Sequence, residues 1–287
     1  RPLAPRYTTA QLWELGVHYA REVIWAEEGD FRGFSIGLMW DGQRWYQRPT
    51  RKYEIGWAGQ NASLACALLA DHLRSGARDS LDKGLATLDT WVRHGRFDCG
   101  LVYAIIDPIT GLARRDVHDA CNLGNAAADF LEGYELARRC RVERPEYREL
   151  ALGICDFMRA RQRPDGGYGR AWTRDGTPLS AAAARIQPGQ SEAPPPTPLS
   201  TATAPSDFDG TIGAFIIPAM LAAYRVTGDK AYLASAQFAF DRYAGELETL
   251  GFTTAGALDT DCIDKESAWP LLDAGMTLYD ITGAPRY

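Results

Sequence analysis

A short turn recurs along this chain and constrains its fold more than any other feature. Tyr224-Arg-Val-Thr-Gly-Asp-Lys-Ala-Tyr232 matches Tyr279-Asp-Ile-Thr-Gly-Ala-Pro-Arg-Tyr287 at the first tyrosine, the Thr-Gly pair and the last tyrosine. A looser copy leads out of residues 119–140 through Arg144-Pro-Glu-Tyr147. Each copy joins the end of one helix to the start of another through a Gly or Pro turn of a few residues, the pattern of an αα-hairpin. A single hairpin cannot bury its own apolar face, so successive copies must stack on one another.

Two kinds of helix alternate when the chain is read outward from these turns. Residues 54–74, 119–140, 209–227 and 264–282 are rich in Ala, Gly and other small residues and apolar on most faces, as inner helices buried all round should be. Residues 78–94, 145–161 and 229–245 carry charge on one face and apolar residues at i, i+3 and i+4, as outer helices should. An amphipathic helix over 8–27, begun by Thr8-Thr9, precedes them. The expected fold is all-α, a toroid of helical hairpins forming one domain over residues 1–287.

Two stretches fall outside that alternation. Phe31–Gln47 has a β-like texture with a turn at Asp41-Gly42, and one hairpin is expected there, over a mouth of the ring. Residues 173–208, with Pro194-Pro-Pro196 and many Ala, Ser and Thr residues, are expected to be a long loop within the domain. Tyr287 aligns with Tyr232 at the start of an outer helix, and about eight helices are counted where a closed ring of six hairpins needs twelve. The toroid is therefore expected to be incomplete in this chain and to belong to a longer polypeptide.

Composition removes several function classes. Of the 287 residues, 46% are hydrophobic and 24% charged, the balance of a soluble globular chain. No apolar run approaches the ~20 residues of a membrane helix, and a net charge of −6 offers no basic footprint for nucleic acid. Cys66, Cys99, Cys121, Cys140, Cys155 and Cys262 are scattered without CxxC spacing; free thiols and a reducing, cytoplasmic location are expected. The four histidines lack metal-ligand spacing, so neither a metal nor a cofactor is expected. Arg1-Pro-Leu-Ala-Pro5 does not read as a signal peptide. Gly-x-Ser-x-Gly, phosphate-loop and dinucleotide motifs are absent from the sequence. Cys121 near His118 is the one candidate thiol nucleophile, and it falls within a helix.

Chemistry is concentrated where the inner helices begin. Acids stand at Tyr53-Glu54, His118-Asp119, Asp207-Phe-Asp209 and Asp261-Cys-Ile-Asp264-Lys265-Glu266. Any one of them suits an N-cap, and Asp209 and Asp264 look most like caps. Together they would converge on one mouth, where two carboxylates in different environments are the minimum for glycosidic-bond cleavage. Trp40, Trp45, Tyr46, Tyr53, Trp57, Tyr168 and Trp172 lie in the same segments, offering flat faces to sugar rings. Arg48, Arg51, Lys52, Arg114, Arg115, Arg170 and Lys265 add cations suited to a substrate carboxylate.

Four of these segments carry a resemblance. Tyr53-Glu-Ile-Gly-Trp-Ala-Gly-Gln-Asn61, Asp119-Ala-Cys-Asn-Leu-Gly124, Asp209-Gly-Thr-Ile-Gly-Ala-Phe215 and Gly251-Phe-Thr-Thr-Ala-Gly-Ala-Leu-Asp-Thr-Asp-Cys-Ile-Asp-Lys-Glu-Ser267 resemble the six-hairpin, (α/α)6-barrel glycosidases. More narrowly, they resemble the β-glucuronidases of glycoside hydrolase family 154, from about residue 8 to the end. The resemblance implies a retaining or inverting hydrolase acting on β-linked glucuronic acid. The expected working carboxylates are Glu266 with either Asp119 or Asp209, and Glu54 next. His118, Asn122, Lys265, Arg114, Tyr53, Trp57, Trp45 and Trp172 are expected to hold the substrate. The expected partner is a carbohydrate, an acidic sugar; neither nucleic acid nor membrane is expected, and homo-oligomerisation is left open. A polysaccharide lyase or sugar epimerase on the same toroid, with His118 and the tyrosines prominent, is the alternative, followed by a non-enzymatic carbohydrate-binding scaffold.

Overall fold

The computed structural model describes residues 6–36, 38–47, 53–57, 59–107, 117–179, 210–254 and 263–287. Its helices are α1 (Thr9–His18), α2 (Asn61–Ser75), α3 (Arg78–His94), α4 (Ala120–Arg139), α5 (Pro145–Ala160), α6 (Ile216–Thr227), α7 (Lys230–Leu250) and α8 (Ala268–Thr282). A π-helical segment, Tyr19–Ile24, extends α1, and a short 3-10 segment, Ile212–Phe215, leads into α6. α2 packs on α3 and α4, α4 on α5 and α6, and α6 on α7 and α8. The even-numbered helices therefore form an inner row, with α3, α5 and α7 behind it. This is the alternation expected from composition.

The outer helices begin and end where side-chain chemistry says they should. α5 starts with Pro145 in its first turn, where a missing N–H costs nothing, followed by Glu146 at the positive end. α3 has Asp79 in its first turn and Arg93 and His94 in its last, matching the helix dipole at both ends.

The recurring turn is a physical device as well as a pattern. Gly228 and Gly283 end α6 and α8 in the left-handed region, at φ +74° and +68°. Each donates its N–H to the carbonyl of the matched tyrosine, Tyr224 or Tyr279, at 2.7 Å, closing the helix as a glycine C-cap does. The preceding threonine hydroxyls, Thr227 and Thr282, donate to the carbonyls of Ala223 and Leu278 at 2.7 Å. The same hydroxyls accept the N–H two residues on. The closing tyrosines tie neighbouring hairpins together. Tyr147 donates to Asp89 of α3 (2.7 Å) and Tyr232 to Asp156 of α5 (2.8 Å), while the Tyr287 hydroxyl accepts from Gln237 of α7 (3.1 Å).

Three expectations need correction. The helix expected over 8–27 stops before Trp25, and Trp25–Glu28 (β1) pairs antiparallel with Phe31–Phe34 (β2). Gly29 sits at φ +57° in the turn between them, and buried Ala26 beside exposed Glu27 shows a period of two. The single hairpin expected over 31–47 is consequently two, because Leu38–Trp40 (β3) pairs with Trp45–Gln47 (β4). The inner helices expected at 54 and 264 begin later, at Asn61 and Ala268. Tyr53–Glu54 (β5) pairs with Ile105–Ile106 (β6), and Thr253–Thr254 (β9) with Ile263–Asp264 (β10). Of the expected loop over 173–208, residues from 180 onward lie outside the described ones.

A single apolar core runs through these layers, with Leu68, Leu88, Phe130, Ile154, Ile217 and Leu278 at 0–1% exposure. The five cysteines among the described residues are free thiols, as expected. No helix among the described residues is long and apolar enough to cross a membrane.

Candidate active site

The first two inner-helix starts are built alike. Immediately before α4, His118–Asp119 (β7) pairs with Ala171–Trp172 (β8) from the loop after α5, Asp119 opposite Ala171. Before α2, Glu54 lies opposite Ile105 from the loop after α3. In each case a two-residue ladder fixes an acid against the neighbouring hairpin's loop. The acid's position is therefore set by backbone pairing and not by a flexible tether.

Asp119 is the N-cap of α4, its Oδ1 accepting the Asn122 N–H at 2.9 Å. The side chain of Asn122, one turn into the helix, then joins both acids. Its Nδ2 donates to Glu54 Oε1 at 3.1 Å and to Asp119 Oδ2 at 2.9 Å. Its Oδ1 accepts the N–H groups of Gly56 (3.1 Å) and Trp57 (2.9 Å). Glu54 Oε2 accepts the Gly59 N–H at 3.0 Å. Two carboxylate oxygens bound to one nitrogen at 3.1 and 2.9 Å can stand no more than 6.0 Å apart.

Both carboxylates are buried, Glu54 at 5% and Asp119 at 4% exposure. Burial disfavours the charged form and pushes the Asp119 carboxyl above its usual range, against the hydrogen bonds from Asn122 that favour ionisation. Asn61, fully buried at the first position of α2, supports the arrangement from below. It donates to the Glu54 and Phe34 carbonyls at 2.9 Å and accepts the Phe34 N–H at 2.8 Å. Nothing in the sequence singled out Asn61; an amide at the start of a small-residue helix carries no periodic signal.

The remaining candidates divide by exposure. His118 has no exposed surface; its Nδ1 accepts the Ala104 N–H at 3.2 Å. That role places the ring proton on Nε2. Its ring lies 4.8 Å from that of Phe97 and 5.7 Å from that of Tyr103. Tyr53 is buried against Phe31, and Trp172 against Phe157. Trp57 is half-buried, edge-on to Phe215. Trp45, 65% exposed, crosses its hairpin to Trp40 with ring centres 5.4 Å apart. Arg170 is buried at 2% exposure, and its carbonyl accepts the Ala120 N–H at 2.8 Å.

The approach to α8 is built differently. Asp264 precedes the helix by four residues and accepts the Glu266 N–H at 3.2 Å, so it shapes a turn; the N-cap position belongs to Ser267. Lys265, 86% exposed, pairs with Asp264 at 3.1 Å. That cation and the turn's N–H groups hold the Asp264 carboxyl below its usual range. Glu266 is half-buried. Asp209, Asp261 and Arg114 lie outside the described residues. Among the described residues no group of three or more His, Cys, Asp or Glu is placed to hold a metal ion.

No family model matches the sequence, and no curated protein matches it significantly. Solved structures do match its shape. A family 76 α-mannanase from Bacteroides thetaiotaomicron aligns at a TM-score of 0.60 and 13% identity, over 96% of this chain and 65% of its own. A cellobiose 2-epimerase from Spirochaeta thermophila aligns at 0.62 and 16% identity, over 99% of this chain and 67% of its own. An unsaturated glucuronyl hydrolase specific for heparin aligns at 0.54 and 14% identity, over 84% and 63%. The chain thus spans about two thirds of the length of these structures, and over that span it has the (α/α)6-toroid fold.

Proposed function

We propose that this chain is part of a carbohydrate-active enzyme, a glycoside hydrolase of the β-glucuronidase type. The observation that carries this reading is the meeting of Glu54 and Asp119, from successive inner-helix starts, on the Asn122 amide nitrogen. The 6.0 Å ceiling on their separation favours the ~5–5.5 Å of a retaining pair over the ~6.5–9.5 Å of an inverting one. Asp119, whose carboxyl burial pushes above its usual range, is the general acid and donates its proton to the leaving oxygen. Glu54 attacks the anomeric carbon, forming a glycosyl-enzyme ester as the glycosidic bond breaks. Water, losing its proton to Asp119, then releases the sugar and restores both acids. Glu266 and Asp209, the sequence's first choices beside Asp119, become secondary candidates in this reading.

The acidic-sugar specificity draws support from the arginines and lysines of the same loops and from the likeness to a glucuronyl hydrolase. The test is a panel of chromogenic glycosides that includes β-glucuronide and β-glucoside. Hydrolysis of the glucuronide with retained anomeric configuration is expected, and Glu54→Gln and Asp119→Asn should each lower kcat by about 10³-fold or more with the far-ultraviolet spectrum unchanged. Equal rates on glucuronide and glucoside would overturn the acidic-sugar assignment. Near-wild-type turnover in both variants would remove the pair. An altered sugar with none released would turn the assignment to epimerase.

A further inference from the structure

Asn122 carries more of the site than a substrate-holding side chain would. It is buried, and every hydrogen-bonding position of its amide is taken by the protein, which leaves none for a sugar. Its amide makes four hydrogen bonds, two donated to carboxylates and two accepted from backbone N–H groups. That is the full capacity of an asparagine side chain. Only one orientation of the amide satisfies these partners, because the flipped group would face oxygen to both carboxylates and NH2 to both N–H donors.

The consequences are geometric and electrostatic. The helix that presents Asn122 also begins with Asp119, so the amide measures the position of Glu54 against the Asp119 cap. The Gly56 and Trp57 N–H groups polarise the amide from behind, strengthening both donated bonds. An uncharged NH2 between two carboxylates orients both without supplying the full positive charge that would drive both to ionise.

We propose that Asn122 is a positioning residue for the Glu54–Asp119 pair, setting the distance between the two carboxyls and coupling their protonation without touching substrate. This rests on the hydrolase reading above for its catalytic consequence but not for its electrostatic one, so two measurements separate them.

The first is the pH–rate profile of Asn122→Ala on whichever chromogenic glycoside the wild type cleaves. We expect kcat to fall roughly 10²-fold with KM changed less than about threefold, and the acidic limb to move up by about one pH unit as two donors to the carboxylates are lost. The second needs no substrate: carbon-13 titration of the Glu54 and Asp119 carboxyls by nuclear magnetic resonance, in wild type and variant. Both transitions should move upward in Asn122→Ala. Should Asn122→Ala fail to fold, Asn122→Ser replaces it, with the same directions expected.

Asn125→Ala is the control. Its Nδ2 donates to the Gly56 carbonyl at 2.6 Å, bracing the same loop without reaching either acid. It should lower the melting temperature and leave the carboxyl titrations where they were. Unchanged titrations and an unchanged pH profile in the Asn122 variant would overturn the proposal, as would an equal titration shift in Asn125→Ala. A wild type that cleaves no glycoside would sink the hydrolase reading alone, because the carboxyl titrations decide the role of Asn122 without it.

Discussion

α4 and α8 look alike in sequence: small residues, apolar on most faces, an acid just before the start. They sit in different surroundings. α4 lies between α2 and α6 with α5 behind it, whereas α8 packs on α6 and α7. Twelve of the residues of α4 are buried, but on α8 Leu272 and Met276 remain 67% and 63% exposed. A helix closed in on both sides turns its sequence into constraint; one closed in on fewer sides keeps tolerance. The acid at the start of α4 becomes a buried cap joined to a second acid, while the acid before α8 shapes a half-exposed turn.

The same substitution made in both helices should separate them most widely. A Cβ added at Gly124 of α4 would stand 2.1 Å from the Phe215 carbonyl oxygen and 2.5 Å from its carbon, both backbone. Neither can move without displacing the 3-10 segment that leads into α6. Gly124→Ala should therefore cost about 3 kcal/mol or more, or prevent folding. At Gly275 of α8 the added Cβ would meet the Phe240 ring at 3.3 Å, with the Tyr287 backbone carbon at an ordinary 4.0 Å, and a half-buried ring can give way. There the helical gain of Ala over Gly, ~1 kcal/mol, should leave stability equal or higher. Urea denaturation of both variants checks this; equal losses at the two positions would erase the distinction between the helices.

Removing the acids gives a smaller contrast. Asp119→Ala loses a cap worth about 1 kcal/mol and strands a buried Asn122 N–H, about 1–3 kcal/mol more. The expected total is about 2–4 kcal/mol by chemical denaturation. Asp264→Ala loses a turn hydrogen bond and an ion pair with the exposed Lys265, both screened by solvent, and should cost much less. A cost at Asp264 matching that at Asp119 would mean the α8 approach is as tightly built as that of α4.

What the sequence made legible follows the strength of local signals. The outer helices α3 and α5 were readable almost to the residue, since charge and apolar residues alternate at the helical period and Pro145 and Asp79 mark the starts. Of the inner helices, α4 was readable at its beginning too, expected at 119 and starting at Ala120, whereas α2 and α8 were readable as elements but not at their beginnings. Glu54 precedes Asn61 by seven residues and Asp264 precedes Ala268 by four, yet an acid ahead of a small-residue helix looks like a cap in each case. A two-residue strand has no period to detect, so β5, β7 and β10 were invisible. The partners of β5 and β7 lie in loops one hairpin away, and that of β10 lies earlier in the same connection. The same holds for the site. Glu54, Asp119 and Asn122 were each named from sequence, but that one amide binds both acids depends on two ladders that bring distant segments together. Asn61 closes one of the quoted segments, but its hydrogen bonds to Glu54 and Phe34 had no signal of their own.

Acid titration offers the last and smallest test. Asp129 lies on α4 where that helix packs on α2, and its backbone carbonyl accepts the Cys66 thiol at 3.1 Å. Burial, with the Glu132 charge adding to it, pushes its carboxyl up to about 8. A carboxyl raised on folding acts opposite to a salt-bridged one. Its contribution is fully present below the unfolded value near 4 and is lost as pH climbs from there to about 8. Wild type should therefore melt lower at pH 8.5 than at pH 6, and Asp129→Asn should remove part of that drop, a difference of the order of 2 °C. If Asp129→Asn keeps the wild-type slope between the two pH values, the lost stability belongs to net charge and not to the closed surroundings of α4.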